Sequence, residues 1–331
     1  MMNYKFLFRF LILALGVAVV IGCDKDDDDD NNDEDLTAKQ EAVKDYEENY
    51  LGSELDDPGW TGSVNGCNAG SVSQEAHDKT VQRTNYFRRI CGLSDNVTRN
   101  ASQDDMCQEA SLIMKASGQL SHHPGPGWPC YTSDGADAAA QANLALASQP
   151  GYMHSSYAVT GYIEDKGANN KKVGHRAWQL LPGLQQIGHG STDQSNAIMW
   201  GDNYDQSASS DPFVAYPPDN FIPGELMFPR WSFSITGANF NNAQVEVSSD
   251  GTNYNVSYEA RETSAGWPDS RIVWKVDGLG YPITKDMDFD VTVSGIQDAD
   301  KDSYSYTVKV FATDAAKKEA KEGRERDFII K

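Results

Sequence analysis

Five cysteines and six histidines carry most of the chemistry open to this 331-residue chain. A thiolate or a neutral imidazole can hold a transition metal, and an imidazole can move a proton near neutral pH. The cysteines stand at positions 23, 67, 91, 107 and 130, with no Cys-x-x-Cys pair, so a zinc site built on thiolates is not indicated. The sequence has no Gly-x-Ser-x-Gly elbow, no His-Glu-x-x-His helix and no glycine-rich phosphate loop. The commonest hydrolase, metalloprotease and nucleotide-binding signatures are therefore missing. Ser121 lies beside His122, but sequence neighbours rarely point at each other, so the two are not a dyad. His77, His154 and His189 have no nameable partner and are expected to be solvated or structural.

The cysteine count becomes even once Cys23 is set aside. Lys5 and Arg9 precede an apolar run from Phe10 to Ile21, which ends in Val19-Val20-Ile21-Gly22-Cys23. The run is shorter than the roughly 20 residues a bilayer crossing needs, and it reads as a cleaved secretory leader over residues 1–22. Its ending resembles a lipobox, which implies acylation of Cys23 and attachment to a membrane through lipid. The block from Asp24 to Asp35 is almost wholly acidic. Like charges keep such a run extended, so residues 23–66 are expected to be a tether and stalk. The block also resembles the acidic signal that sends some lipoproteins to the outer face of the outer membrane. Net charge is −21, two units more negative once Lys5 and Arg9 leave with the leader. That balance excludes nucleic acid as a natural partner, because phosphate contacts rely on Lys and Arg. Cys67, Cys91, Cys107 and Cys130 then face an oxidising compartment where disulfides persist. Four cysteines allow three pairings. Closure of local loops favours Cys67–Cys91 with Cys107–Cys130.

The elements that must position these residues fall into two halves. Gln74 to Ile90 has helical spacing, with Val81, Tyr86, Phe87 and Ile90 as the inward stripe and Gly92 just past its end. Asp104 to Leu120 is a second helix capped by Ser102, and Ala136 to Ala147 an alanine-rich third. Ala158 to Glu164 reads as a fourth. Val173 to Leu180 reads as a short strand or a helical turn, and Ala197 to Gly201 as a strand. A proline-marked linker at Asp211 to Pro218 opens residues 211–315. There, short alternating strands such as Trp231 to Ile235, Phe289 to Val293 and Tyr304 to Val310 indicate an all-β, immunoglobulin-like sandwich. Residues 316–331 read as a charged tail. Trp128, Trp178 and Trp200 are expected in the core.

Residues 67–210 carry a further pattern. Thr84-Asn85-Tyr86-Phe87-Arg88 precedes Gly92-Leu93. Leu120-Ser121-His122-His123-Pro124 follows, then Gln141-Ala142-Asn143-Leu144, Tyr162-Ile163-Glu164-Asp165, Val173-Gly174-His175-Arg176 and Ile187-Gly188-His189-Gly190. Together these motifs resemble the CAP superfamily, the cysteine-rich secretory, antigen 5 and pathogenesis-related proteins. The resemblance implies an α/β/α sandwich, so the whole chain is expected to be α+β. It also implies a cleft where two histidines and two acids converge and can hold a divalent cation such as zinc. Carried over, the histidines are His122 and His175 and one acid is Asp165, with Glu164 as a neighbour able to replace it. The other acid is missing, because Ala142 stands where the family has glutamate. His123 replaces His122 if the loop is shifted. The expected function is a non-enzymatic surface module that binds an extracellular ligand such as a lipid, a peptide or a cell-wall component. The alternatives are a metal-assisted hydrolase or protease with Asp165 or Glu164 as general base, and a structural envelope protein.

Overall fold

The computed structural model describes residues 36–151, 153, 155–210, 212–262, 270–322 and 328–331. The expected leader, Cys23, the whole acidic run from Asp24 to Asp35 and His154 lie outside the described residues. Thr37 opens the described chain with a reciprocal capping box to Gln40, which starts α1 (Ala38–Asp45). A π-helical turn, Tyr46–Tyr50, continues it. This segment is no stalk. Tyr46 and Tyr50 are buried, Tyr46 against Phe311, and Tyr50 against Tyr86 and Phe87. The Arg83 guanidinium stacks 3.8 Å from the Tyr50 ring and binds Ser53 Oγ and the Tyr50 carbonyl. Two tyrosines four residues apart on one helical face had apolar surface to bury, which overrode the charged residues around them.

The next elements are α2 (Gln74–Ile90), β1 (Thr98–Arg99), α3 (Ala101–Ser117), α4 (Ser133–Ala140), β2 (Ala142–Ala147), α5 (Ser155–Glu164), α6 (Gly174–Gln179), β3 (Gln186–Ser191) and β4 (Ser195–Met199). The second half contributes β5 (Val214–Tyr216), β6 (Phe221–Pro223), β7 (Trp231–Ser234), β8 (Gln244–Ser249), β9 (Thr252–Tyr254), β10 (Val256–Glu262), β11 (Arg271–Val276), β12 (Met287–Ser294), β13 (Ser303–Phe311), α7 (Asp314–Glu322) and β14 (Phe328–Ile330). The result is a mixed α+β fold with three mostly antiparallel sheets, in the orders β1-β3-β4-β2-β14, β10-β11-β7-β5 and β6-β13-β12-β8-β9.

Several sequence expectations shift for identifiable reasons. α3 starts at Ala101 because Asn100, not Ser102, accepts the first free amide, and it stops at Gly118 (φ +65°). The alanine-rich stretch divides into α4 and β2, and all six residues of β2 are buried. A strand covered on both faces reads as a continuous apolar run, which periodicity cannot tell from a helix. Residues 316–331 do not form a charged tail throughout. α7 buries Ala316, and β14 adds to the edge of the first sheet, Phe328 opposite Ala147 and Ile330 opposite Ala145.

Residues 36–331 cluster as one compact unit. Arg176 on α6 shows how the two halves are joined. It is 1% exposed, donates to the Ile163 and Glu164 carbonyls and to Ser232 Oγ on β7, and stacks 4.6 Å from the Tyr216 ring. The two β-rich sheets of the second half meet through aromatic rings, Trp231 with Phe289 at 5.4 Å and Phe233 with Tyr306 at 6.0 Å.

The disulfide pairing differs from expectation. Cys67 bonds Cys130, with Cα atoms 5.0 Å apart, while Cys91 and Cys107 are free and buried. Cys91 caps α2 and packs in the larger core, whereas Cys107 points from α3 into a smaller core with Leu144 and Met199. The two thiols are held in separate apolar layers, where free cysteine behaves as a small hydrophobe. Burial pushes the Cys91 thiol up to about 12, which keeps it protonated and unreactive.

Candidate functional site

The site begins at the end of α5. Asp165 is fully buried and left-handed (φ +53°), and this turns the chain out of the helix. Its carboxylate faces the start of α6. Oδ2 accepts the backbone N–H of His175 at 2.9 Å and of Arg176 at 3.3 Å, and Oδ1 meets His175 Nδ1 at 2.8 Å. One acid thus caps a helix from a distance and fixes an imbidazole at once, the carboxylate satisfying amides that the first helical turn leaves free. Val173, fully buried with φ +46°, sets the entry to α6. A β-branched residue in that region stores about 1–3 kcal/mol of strain, which the surrounding packing must hold in place. Arg230 holds the Asp165 turn from the other half, donating to the Asp165 and Gly167 carbonyls at 2.7 Å each.

The His175 ring lies nearly parallel to Tyr162, centroids 6.0 Å apart. Burial alone would push its pKa down. The Asp165 charge and hydrogen bond, with the Lys331 contact, outweigh burial and hold the pKa above the ordinary histidine value. A carboxylate beside an imidazole and hydrogen-bonded to it favours the charged form of the ring.

His122 sits in the loop after α3. Its Nδ1 meets the Ala139 carbonyl at 2.7 Å, which makes Nδ1 the N–H and leaves Nε2 as the acceptor. Burial pushes its pKa down, and the charges of His175, Lys331 and His123 push the same way. Lys331 runs between these residues. Its backbone exchanges two 2.9 Å hydrogen bonds with Leu144 on β2, and its Nζ donates to the Leu120 carbonyl. Glu164, the last residue of α5, lines a small pocket with Gly161, Lys166, Phe328 and Ile330. The residues singled out in the sequence thus collect around β14.

The missing acid has a structural explanation. Along β2, Ala142, Leu144 and Leu146 pack into the smaller core, whereas Ala145 and Ala147 join the larger one. Asn143, on that second face, donates to the His175 carbonyl at 3.1 Å. A glutamate at position 142 would enter the smaller core beside Cys107. Asp165 spends both oxygens on His175 and two amides, so it stands behind the imidazole and not beside it. Among the described residues no three His, Cys, Asp or Glu side chains gather to hold a metal ion.

The remaining motif residues serve the frame. Asn85 clamps Val97 through its N–H and carbonyl, at 3.1 and 2.9 Å. Arg88, fully buried, donates to the carbonyls of Ser94, Gln179, Leu181 and Pro182. Desolvation lowers its pKa to about 10.

Sequence reasoning missed one buried cluster. His189 on β3 meets His77 on α2, Nδ1 to Nδ1 at 3.1 Å, and its backbone N–H donates to Asp104, which Arg99 pairs from outside. Gly190 beside it permits the contact, because a Cβ there would strike the α3 backbone at Cys107 and Gln108. The Gly-His-Gly spacing was the available signal, for it marks a close approach of backbones. Burial lowers the pKa of both histidines. Arg99 adds to this in both, His77 adds to it for His189, and Asp104 opposes it for His77. The unfolded chain therefore binds more protons there, and stability is expected to fall as pH drops below about 6.5 towards the folded-state values. His175, with its raised pKa, contributes in the opposite sense, its stabilisation being lost as pH rises through the folded value. Denaturant melts between pH 5 and 7 check this. His189→Gln is expected to flatten the acid limb, and an unchanged limb would contradict the assignment.

Comparison of the chain with protein-family models, with curated proteins and with solved structures returned no match.

Proposed function

We propose that this chain is a lipoprotein, tethered through Cys23 on the outer face of the outer membrane, whose first half is a CAP-like module that binds an extracellular ligand without chemical turnover. The immunoglobulin-like half braces the module through Arg176 and Arg230. One observation carries the non-enzymatic reading. His175, the residue best placed for acid–base work, is held at Nδ1 by the buried Asp165 carboxylate, whose other oxygen accepts the first amides of α6. Asp165 is thus committed to positioning the ring and the helix start, which leaves it poorly placed to take a proton from water as a general base must. The resemblance in the His122 and His175 motifs and the position of both beside one strand support a shared cleft.

The test uses the secreted full chain, wild type and His175→Ala. Zinc titrated by calorimetry is expected to give no saturable heat, and panels of peptides and esters to show no hydrolysis. A one-to-one zinc isotherm together with turnover, both lost in His175→Ala, would replace the binding module with a metal-assisted hydrolase.

A further inference from the structure

β2 pairs with β4 along one side and with β14 along the other, so among the described strands β14 covers the outer edge of β2. That cover is slight: three paired residues, with Phe328 and Ile330 turned to the same side and Ile329 61% exposed between them. The helix beneath is shaped for an aromatic ring. Phe328 packs edge-on to Tyr157 at 5.5 Å and lies directly over Gly161, where any Cβ would collide with the ring. Ile330 lines the cleft beside it with Glu164 and Lys166. The following residue, Lys331, then exchanges two main-chain hydrogen bonds with Leu144.

Alternate side chains enter pockets while the backbone is held by a sheet edge. This is how an extended peptide is recognised when it adds as a strand, the backbone supplying affinity and the pockets specificity. Here the peptide belongs to the chain itself.

We propose that the β2 edge is a peptide-strand acceptor site, filled in cis by residues 328–331 and able to take in trans an extended peptide with an aromatic residue followed, two positions on, by an aliphatic one. This rests on the binding-module reading above and names its ligand class. It also makes β14 an autoinhibitory strand. A tethered segment competes at an effective concentration in the millimolar range, so a free peptide enters only when it outcompetes or displaces the cis strand.

The experiment uses the full chain with a specific protease sequence placed between residues 322 and 328. A fluorescent peptide with the sequence of residues 327–331 is the probe. Cutting is expected to let the probe exchange in and saturate, with uncut chain binding it at least ~10-fold more weakly. Gly161→Val in the cut chain is expected to abolish capture. Should that variant fold poorly, a peptide with the phenylalanine replaced by alanine should fail to compete at concentrations where the parent peptide does. A cut chain that keeps its own strand against a large excess of probe, or an alanine peptide that competes equally, would overturn the proposal. His122→Ala with His175→Ala in the cut chain separates the two readings. Weaker capture supports both. Undiminished capture leaves the edge site standing and removes the histidine cleft. Failure of the probe beside a saturable ligand on the histidines removes the edge site alone.

Discussion

Exchange of Asp165 for alanine is expected to destabilise the fold by about 3–5 kcal/mol, the usual cost of removing one partner from a buried pair. The carboxylate is fully buried and holds His175 together with two amides of α6, so its loss strands three donors away from water. Asp165→Asn is expected to cost less, since an amide oxygen still accepts from the helix, but it removes the charge that raises the His175 pKa. Denaturant titration and the histidine ring resonances measure the two effects separately. A loss below about 1 kcal/mol for alanine would mean that the turn is held by Arg230 and packing alone.

The second large effect concerns the bridge from Cys67 to Cys130, which spans a sequence separation of 63 residues. Loop-closure entropy for a ring of that size is about 4 kcal/mol at 25 °C. Cys67→Ala with Cys130→Ala is therefore expected to lower stability by about that amount. Non-reducing peptide mapping should recover Cys67 joined to Cys130. Cys91 and Cys107 should react with thiol reagents only after unfolding. Reaction of both in the native chain would contradict their burial.

What was legible in the sequence follows from the kind of signal each element carries. α2 and the strands of the second half announce themselves, because one face is buried and the other wet. β12, for example, alternates buried Phe289, Val291 and Val293 with more exposed neighbours. β2 was hidden, since burial on both faces erases the alternation and its alanines favour a helix locally. Tyr46 and Tyr50 were hidden by the charges around them, and β14 by the charged run that precedes it. The disulfide was misjudged because loop length says nothing about which way a helix turns its cysteine, and both Cys91 and Cys107 face inward. His122, Asp165 and His175 were legible only as a family pattern. The geometry adds that Asp165 stands behind His175 and that Lys331 pairs with Leu144 on β2. Neither relation is visible from spacing, since Lys331 arrives from the far end of the chain and pairs with a strand near its middle.

Histidine side-chain resonances followed between pH 5 and 9 in the full chain should show His175 titrating above the ordinary value of about 6.5 and His122 below it. The His175 Nδ1–H signal should be protected from solvent, as expected for a ring hydrogen-bonded to the buried Asp165 carboxylate. A His175 that titrates at or below the ordinary value, with a solvent-exchanging Nδ1–H, would contradict this and restore a general base to the cleft.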